Sequence, residues 1–247
     1  MRQPTTTRWH CWEADVFLTR FQINPARRGA RKLLAFPQAM HAAVLAAFAE
    51  PTSRRPGGPR VLWRVDEGAN HQITLYIASP SEPDLTHLVE QAGWPTTQAW
   101  QTRPYDRFLA SLAPGQRWAF RLTANPAHST RHPKKPDAAP TQRFGHVTVS
   151  QQRDWLLARA DRAGIRIPTG ALGEPELVMH HRSTIEFKRD GDQVNLTVAT
   201  FDGLLEVTDV DLLRHTLVSG LGPAKAYGCG LMTLASGPTP GTRTRPA

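Results

Sequence analysis

Cysteine is nearly absent. The 247-residue chain holds Cys11 and Cys229 and no others. Two cysteines cannot build a disulfide framework or a cysteine-rich zinc site, and a reducing cytoplasm is the expected compartment. Long apolar runs are missing as well. None approaches the roughly 18–20 residues that cross a bilayer, so no membrane association is expected. The first 15 residues carry charges and no apolar segment, so no secretory signal is expected. HExxH, GxSxG, a GKS or GKT phosphate loop and a run of aspartates suited to two metals are all absent. A metal-dependent nuclease is therefore disfavoured, and no metal or cofactor is expected. Hydrophobic residues at 40% and charged residues at 21% are ordinary globular values, which excludes a wholly disordered chain.

Acidic residues are missing from three stretches where cations gather. Val16 to Ala49 has no acid but contains Arg20, Arg27, Arg28, Arg31 and Lys32. Arg117 to Lys135 has none, and neither does the chain after Asp211. The balance is 30 Lys and Arg against 21 Asp and Glu, a formal +9. Clustered charge of one sign opposes compaction, and a polyanion relieves it. A solvated basic surface would explain one such cluster; three favour a nucleic acid as partner.

The pattern along the chain is α+β. Residues 17–23 alternate apolar and polar as a half-buried strand does. A basic loop, ARRGARK, follows. Pro37 fits the first turn of a helix reaching about Ala49, with Met40, Val44 and Phe48 on one face and His41 with Leu45 on the next. Residues 60–65 and 72–79 read as a strand hairpin, 83–92 as a short helix and 114–124 as a strand. That order is the split βαβ of a ferredoxin-like unit. Residues 125–143 hold four prolines and read as a linker; His128 and His132 within it lack a third ligand nearby. The second half repeats the pattern: a strand at 146–149, a helix from Ser150 stopped by Gly164, strands 177–188 and 193–201 joined by a turn at Arg189–Asp192, a strand extension at 204–207, a helix at Asp209–Val218 and a last strand at 231–234. The expected division is a disordered extension (1–15), a first ferredoxin-like (RRM-like) domain (16–124), a Pro-rich linker (125–145), a second such domain (146–236) and a disordered tail (237–247).

Two features carry chemistry. Between the last helix and strand lies a loop with Gly220, Gly222, Gly228 and Gly230 around Lys225 and Tyr227. Glycines let backbone approach phosphates closely, and a lysine among them suits an RNA backbone. A plain connector needs fewer glycines. His41 is the second feature. A histidine on an apolar helix is usually a core residue. This one follows the basic segment directly and lies near a helix start, where the dipole favours the neutral ring. RNA supplies its own nucleophile in the 2′-OH, so an acid/base group and cations are sufficient parts for cleavage.

The stretch FLTRFQINPARRGARKLLAFPQAMHAAV (Phe17–Val44), with RWAFRLTANP (117–126), HVTVSQQRDWLLARADRAG (146–164) and GLGPAKAYGCGLMTLA (220–235), resembles the CasE family. These are the CRISPR RNA-processing endoribonucleases of type I-E Cascade complexes. The resemblance runs from residue 17 to 235. It implies two tandem ferredoxin-like domains. It also implies metal-independent cleavage of the precursor CRISPR RNA repeat hairpin, leaving a 5′-OH and a 2′,3′-cyclic phosphate or 3′-phosphate, followed by retention with the crRNA among other Cascade subunits, the free protein being a monomer. By position His41 matches the family's catalytic histidine. The glycine loop, with Gly222, Lys225 and Tyr227, matches an RNA-contacting loop. Lys188 and Arg189 match a basic hairpin placed at the stem base. Arg27, Arg28, Arg31 and Lys32 are expected phosphate contacts. Some members carry a tyrosine three residues before the histidine where this chain has Gln38, which keeps a non-catalytic hairpin-binding subunit as the alternative. A tandem messenger-RNA-binding RRM is a third reading, weakened because no RNP1-type strand is present. Val16 falls where the family's initiator Met stands, so residues 1–15 are read as an upstream start.

Overall fold

The computed structural model describes residues 15–49, 58–94, 100–130, 142–189 and 192–237. The chain begins with β1 (Phe17–Ile23), α1 (Arg28–Ala35), α2 (Pro37–Leu45), β2 (Leu62–Glu67), β3 (Ile73–Ser79), α3 (Thr86–Ala92) and β4 (Trp100–Pro104). The strands form one antiparallel sheet in the order β2-β3-β1-β4. Alternation sorts the faces. Phe21, Ile23, Leu75 and Ile77 turn toward the helices and meet Leu33, Met40, Val44 and Leu88 in a closed core. Each such side chain contributes roughly 1.5–3 kcal/mol by leaving water.

A short helix, α4 (Asp106–Ser111), leads into the second half: β5 (Arg117–Ala124), β6 (Ala127–Thr130), β7 (Gln142–Gly145), α5 (Val149–Ala160), β8 (Ile165–Arg166), β9 (Leu177–Arg189), β10 (Asp192–Val207), α6 (Val210–Ser219) and β11 (Met232–Ser236). Its sheet runs β11-β5-β10, with β9 and then β8 along the far side of β10. Both halves are ferredoxin-like, and the fold is α+β as expected.

Four expectations change. The strand at 114–124 does not close the first sheet. As β5 it pairs with β10 and β11 and opens the second. The first sheet is closed by β4, whose WQTRP offers no apolar alternation to announce it. The boundary between the halves therefore falls at α4, and the proline-rich stretch lies inside the second half, between its first strand and first helix. Part of that stretch is a ladder, since β6 pairs with β7; residues 131–141, His132 among them, lie outside the described residues. Residues 146–148 are not a strand: Thr148 N-caps α5 in a capping box with Gln151. The basic segment is no loop either, because Arg28 to Ala35 is helical. Gly29 disguises it. A side chain there would run into the Gln91 backbone, so the glycine serves a close α1–α3 contact rather than a turn.

A buried ion on the first sheet reaches into the second half. Arg64 on β2 is 1% exposed. It donates to Asp66 at 2.6 and 2.8 Å, to the carbonyls of Arg121 and Leu231 at 2.9 Å each, and to the Thr233 hydroxyl at 2.8 Å. Its partners beyond Asp66 all belong to the second half.

Candidate RNA-cleaving site

Pro37 at the first position of α2 forces Phe36 into extended backbone, which separates α1 from α2. His41 therefore sits half-buried one turn into the second helix. The indole Nε1 of Trp63, on β2 and 4% exposed, donates to His41 Nδ1 at 3.2 Å. An indole nitrogen only donates, so Nδ1 holds a lone pair and the neutral ring carries its proton on Nε2.

The glycine loop covers the same tryptophan. Gly228, at φ +79°, lies so close to the Trp63 ring that any side chain would collide with it. Gly222 packs on Trp155 at the loop's other end. Tyr227 packs at a tilt against Phe187 of β9 with ring centroids 4.8 Å apart, joining the loop to the long β9–β10 hairpin. Cys229 is buried beneath and its thiol is pushed up to about 12, in keeping with a small apolar filler.

Between loop, hairpin and β2 opens a cleft of about 310 Å³. Pro37 and Met40 from the His41 helix, Trp63, Arg121, His180 and Tyr227 contribute to its wall. Its floor is charged. Arg121 grips Asp202 through two bonds of 2.7 and 2.6 Å and lies 3.7 Å from Asp66. Burial pushes the Asp202 carboxyl up, but bonds from Arg121 and His180 outweigh it and hold the group below its usual range.

The expected phosphate contacts divide. Arg28, Arg31 and Lys32 are exposed on α1 and share one helical face by their spacing. Arg31 also donates to the Ala26 carbonyl at 2.8 Å. Arg27 turns inward and donates to the Val89 and Gly93 carbonyls at 2.9 and 3.1 Å, tying down the end of α3. Lys225 is half-buried, with its ammonium on the Ser219 carbonyl at 2.6 Å. Burial, with help from Arg60, lowers it to about 8. Lys188 and Arg189 close the β9–β10 hairpin, in register with Gln193 and Asp192; residues 190–191 of the expected turn lie outside the described residues. The hairpin strands run longer than expected, with β10 continuous from Asp192 to Val207.

A family model described as CRISPR associated protein matches residues 16–236. The chain belongs to that family. The CRISPR-associated endoribonuclease Cse3 of Thermus thermophilus is 33% identical over 227 residues, 89% of this chain and all of that relative. The Cascade subunit CasE of Escherichia coli K-12 is 39% identical over 49 residues, 20% of this chain and 25% of CasE. Among solved structures, Thermus thermophilus Cse3 bound to an RNA representing a pre-cleavage complex superposes with a TM-score of 0.73 at 31% identity, covering 90% of this chain and 99% of that one.

Within this CRISPR-associated chain, the residues that sequence reasoning missed are Trp63, Arg64, Asp66, Arg121, His180 and Asp202. His180 meets the Asp202 carboxylate and lines the cleft that Pro37 and Met40 of the His41 helix also line. Arg64-x-Asp66 on a strand was the one visible signal, since alternate residues share a face. The partners of Arg64 in the second half lie 57 to 169 residues away.

Proposed function

We propose that the chain is a metal-independent endoribonuclease that cuts the repeat hairpin of precursor CRISPR RNA and stays on the product as a cytoplasmic Cascade subunit. The observation that carries this reading is the setting of His41. A buried tryptophan holds one ring nitrogen, and the preceding helix offers three exposed cations. The length-matched relative named as a CRISPR endoribonuclease supports an RNA substrate.

The chemistry follows from the parts. The 2′-OH attacks the adjacent phosphorus in line, the P–O5′ bond breaks, and the products are a 2′,3′-cyclic phosphate and a 5′-OH. His41 is the acid/base group, presenting Nε2–H to the phosphate and leaving oxygens. Arg28, Arg31 and Lys32 hold the backbone on α1, with Lys188 and Arg189 at the stem. Gly222 and Tyr227 shape the loop against the RNA strand, and Lys225 meets phosphate from it. Arg27 supports the site by fixing α3 behind it. Gln38 has no phenol-like proton to give, which favours the second reading, a hairpin-binding subunit that does not cut. A repeat RNA with one 2′-deoxy at the scissile nucleotide separates the two. It should bind as tightly as the ribose form and resist cleavage completely.

Lys225 gives a pH dependence. In the free protein it loses its proton as pH rises through about 8. If bound phosphate keeps it charged, binding takes up a proton and affinity falls with pH above that point. Wild type should lose affinity between pH 8 and 9.5, measured by fluorescence anisotropy at fixed salt, as a ~10-fold drop at most per pH unit. Lys225→Met should be weaker at pH 7 and flat across this window. A Lys225→Met profile parallel to wild type would remove Lys225 from the contacts.

A further inference from the structure

We infer that His180 is a second acid/base group of the same cleavage, the base that takes the 2′-OH proton. This rests on the reading of the chain as a 2′-OH-dependent endoribonuclease. The arrangement at His180 is the complement of that at His41. His180 Nε2 meets Asp202 Oδ2 at 2.9 Å. Asp202 is held ionised and only accepts, so Nε2 carries the proton of the neutral ring and Nδ1 holds a lone pair. No hydrogen-bond partner of Nδ1 occurs among the described residues. His41 thus offers a donor nitrogen and His180 an acceptor nitrogen.

Local backbone supports the placement. In the β9–β10 ladder Val198 faces Ser183 while Thr200 faces His180, so His181 and Arg182 together oppose Ala199. That is a bulge, and His181 occupies left-handed backbone at φ +49° within it. The bulge sends Arg182 outward to Gln152 and the Val147 carbonyl, at 2.8 and 2.6 Å. His180, His181 and Ser183 are left lining the cleft that Trp63 also lines. A histidine oriented by a carboxylate is the usual preparation of a general base. The charged and titratable groups around it are Asp202 on β10, Arg121 on β5, Arg64, Asp66 and Glu67 on β2, and His181 beside it. Asp202 is shared between Arg121, at 2.6 and 2.7 Å, and His180, at 2.9 Å, and so fixes the orientation of the His180 ring.

The proton path closes. His180 Nδ1 takes the 2′-OH proton as the oxygen bonds to phosphorus. The P–O5′ electron pair leaves on O5′, which takes the Nε2 proton of His41, and His41 recovers a proton from solvent water. His180 then returns its proton to solvent.

The test compares His180→Gln with His41→Ala on the repeat RNA and on the same RNA carrying a 5′-thio leaving group, which needs no proton. Glutamine keeps an N–H for Asp202, so the network and fold persist, as unchanged hairpin affinity verifies. His180→Gln should cut the ordinary RNA at least ~100-fold more slowly than wild type, and should stay slow on the 5′-thio RNA, on which His41→Ala recovers. Cleavage by His180→Gln within about threefold of wild type overturns the inference, as does its rescue by the 5′-thio group, which would make His180 the donor. A wild-type protein that leaves ribose RNA intact removes this inference and the proposed function together; wild-type cleavage with an undisturbed His180→Gln removes only the inference.

Discussion

His41→Ala is expected to abolish cleavage of the repeat hairpin, by about 10²–10⁴-fold in single-turnover rate, while hairpin affinity stays within about threefold. The two effects separate because different residues carry them. In the proposed reading the charge that holds RNA is that of α1 and the β9–β10 hairpin, and His41 adds none to it in its neutral form. The alanine variant has a structural cost as well. It leaves the buried Trp63 N–H without its acceptor, which costs roughly 1–3 kcal/mol. His41→Asn is the matching control, since its amide oxygen can take the indole bond but the side chain cannot exchange a proton. Both variants should be equally inactive, and Asn should melt higher. An affinity loss as large as the rate loss would make His41 a structural residue. An active Asn variant would exclude proton transfer there.

Arg64→Met should lower stability by about 3–5 kcal/mol, a drop of roughly 6–20 °C in Tm for a chain of this size. Arg64 is buried and meets two carbonyls, a hydroxyl and a carboxylate from both sheets. Methionine fills the volume but strands all of them. Asp66 is left with Arg121 at 3.7 Å as its remaining cation among the described residues. Replacing both members, Arg64→Met with Asp66→Leu, should recover part of the loss, because the uncompensated charge goes too. Thermal melts of the two variants beside wild type decide it; a single-variant shift under 2 °C would show that the Arg64 network contributes little to holding the halves together. Because the cleft lies between the halves, the same melt reports on how firmly the site is assembled.

The legible parts of the chain are those with local signals. β1 and the β9–β10 hairpin alternate, α2 starts on a proline, and the 3-10 turn that follows α5 ends at Gly164 in left-handed backbone. The ferredoxin-like order could be read from these alone. The fourth strand could not. WQTRP gives no period, while RWAFRLTA gives a strong one and so read as the closing strand of the wrong sheet. The helix α1 hid behind Gly29, whose reason is a contact with Gln91 far along the chain. The candidate site divides the same way. His41, the α1 cations and the glycine loop announce themselves by neighbours in sequence. Trp63 against His41 exists only once α2 packs on its own sheet, and the link from Arg64 and Asp66 to Arg121, Asp202 and His180 only once two sheets meet. Lys225 shows the converse: its sequence context reads as a free phosphate ligand, and the fold gives its ammonium to Ser219.

The most direct test of the central claim is a single-turnover cleavage assay on the repeat RNA of the chain's own CRISPR array, in excess EDTA, with the 2′-deoxy RNA alongside. The account predicts full-rate cutting of the ribose RNA at one position without any metal, with a 5′-OH and a 2′,3′-cyclic phosphate at the new ends, and an uncut deoxy RNA that binds equally well. Tight binding of both RNAs with neither cut, or cutting that EDTA stops, would contradict it.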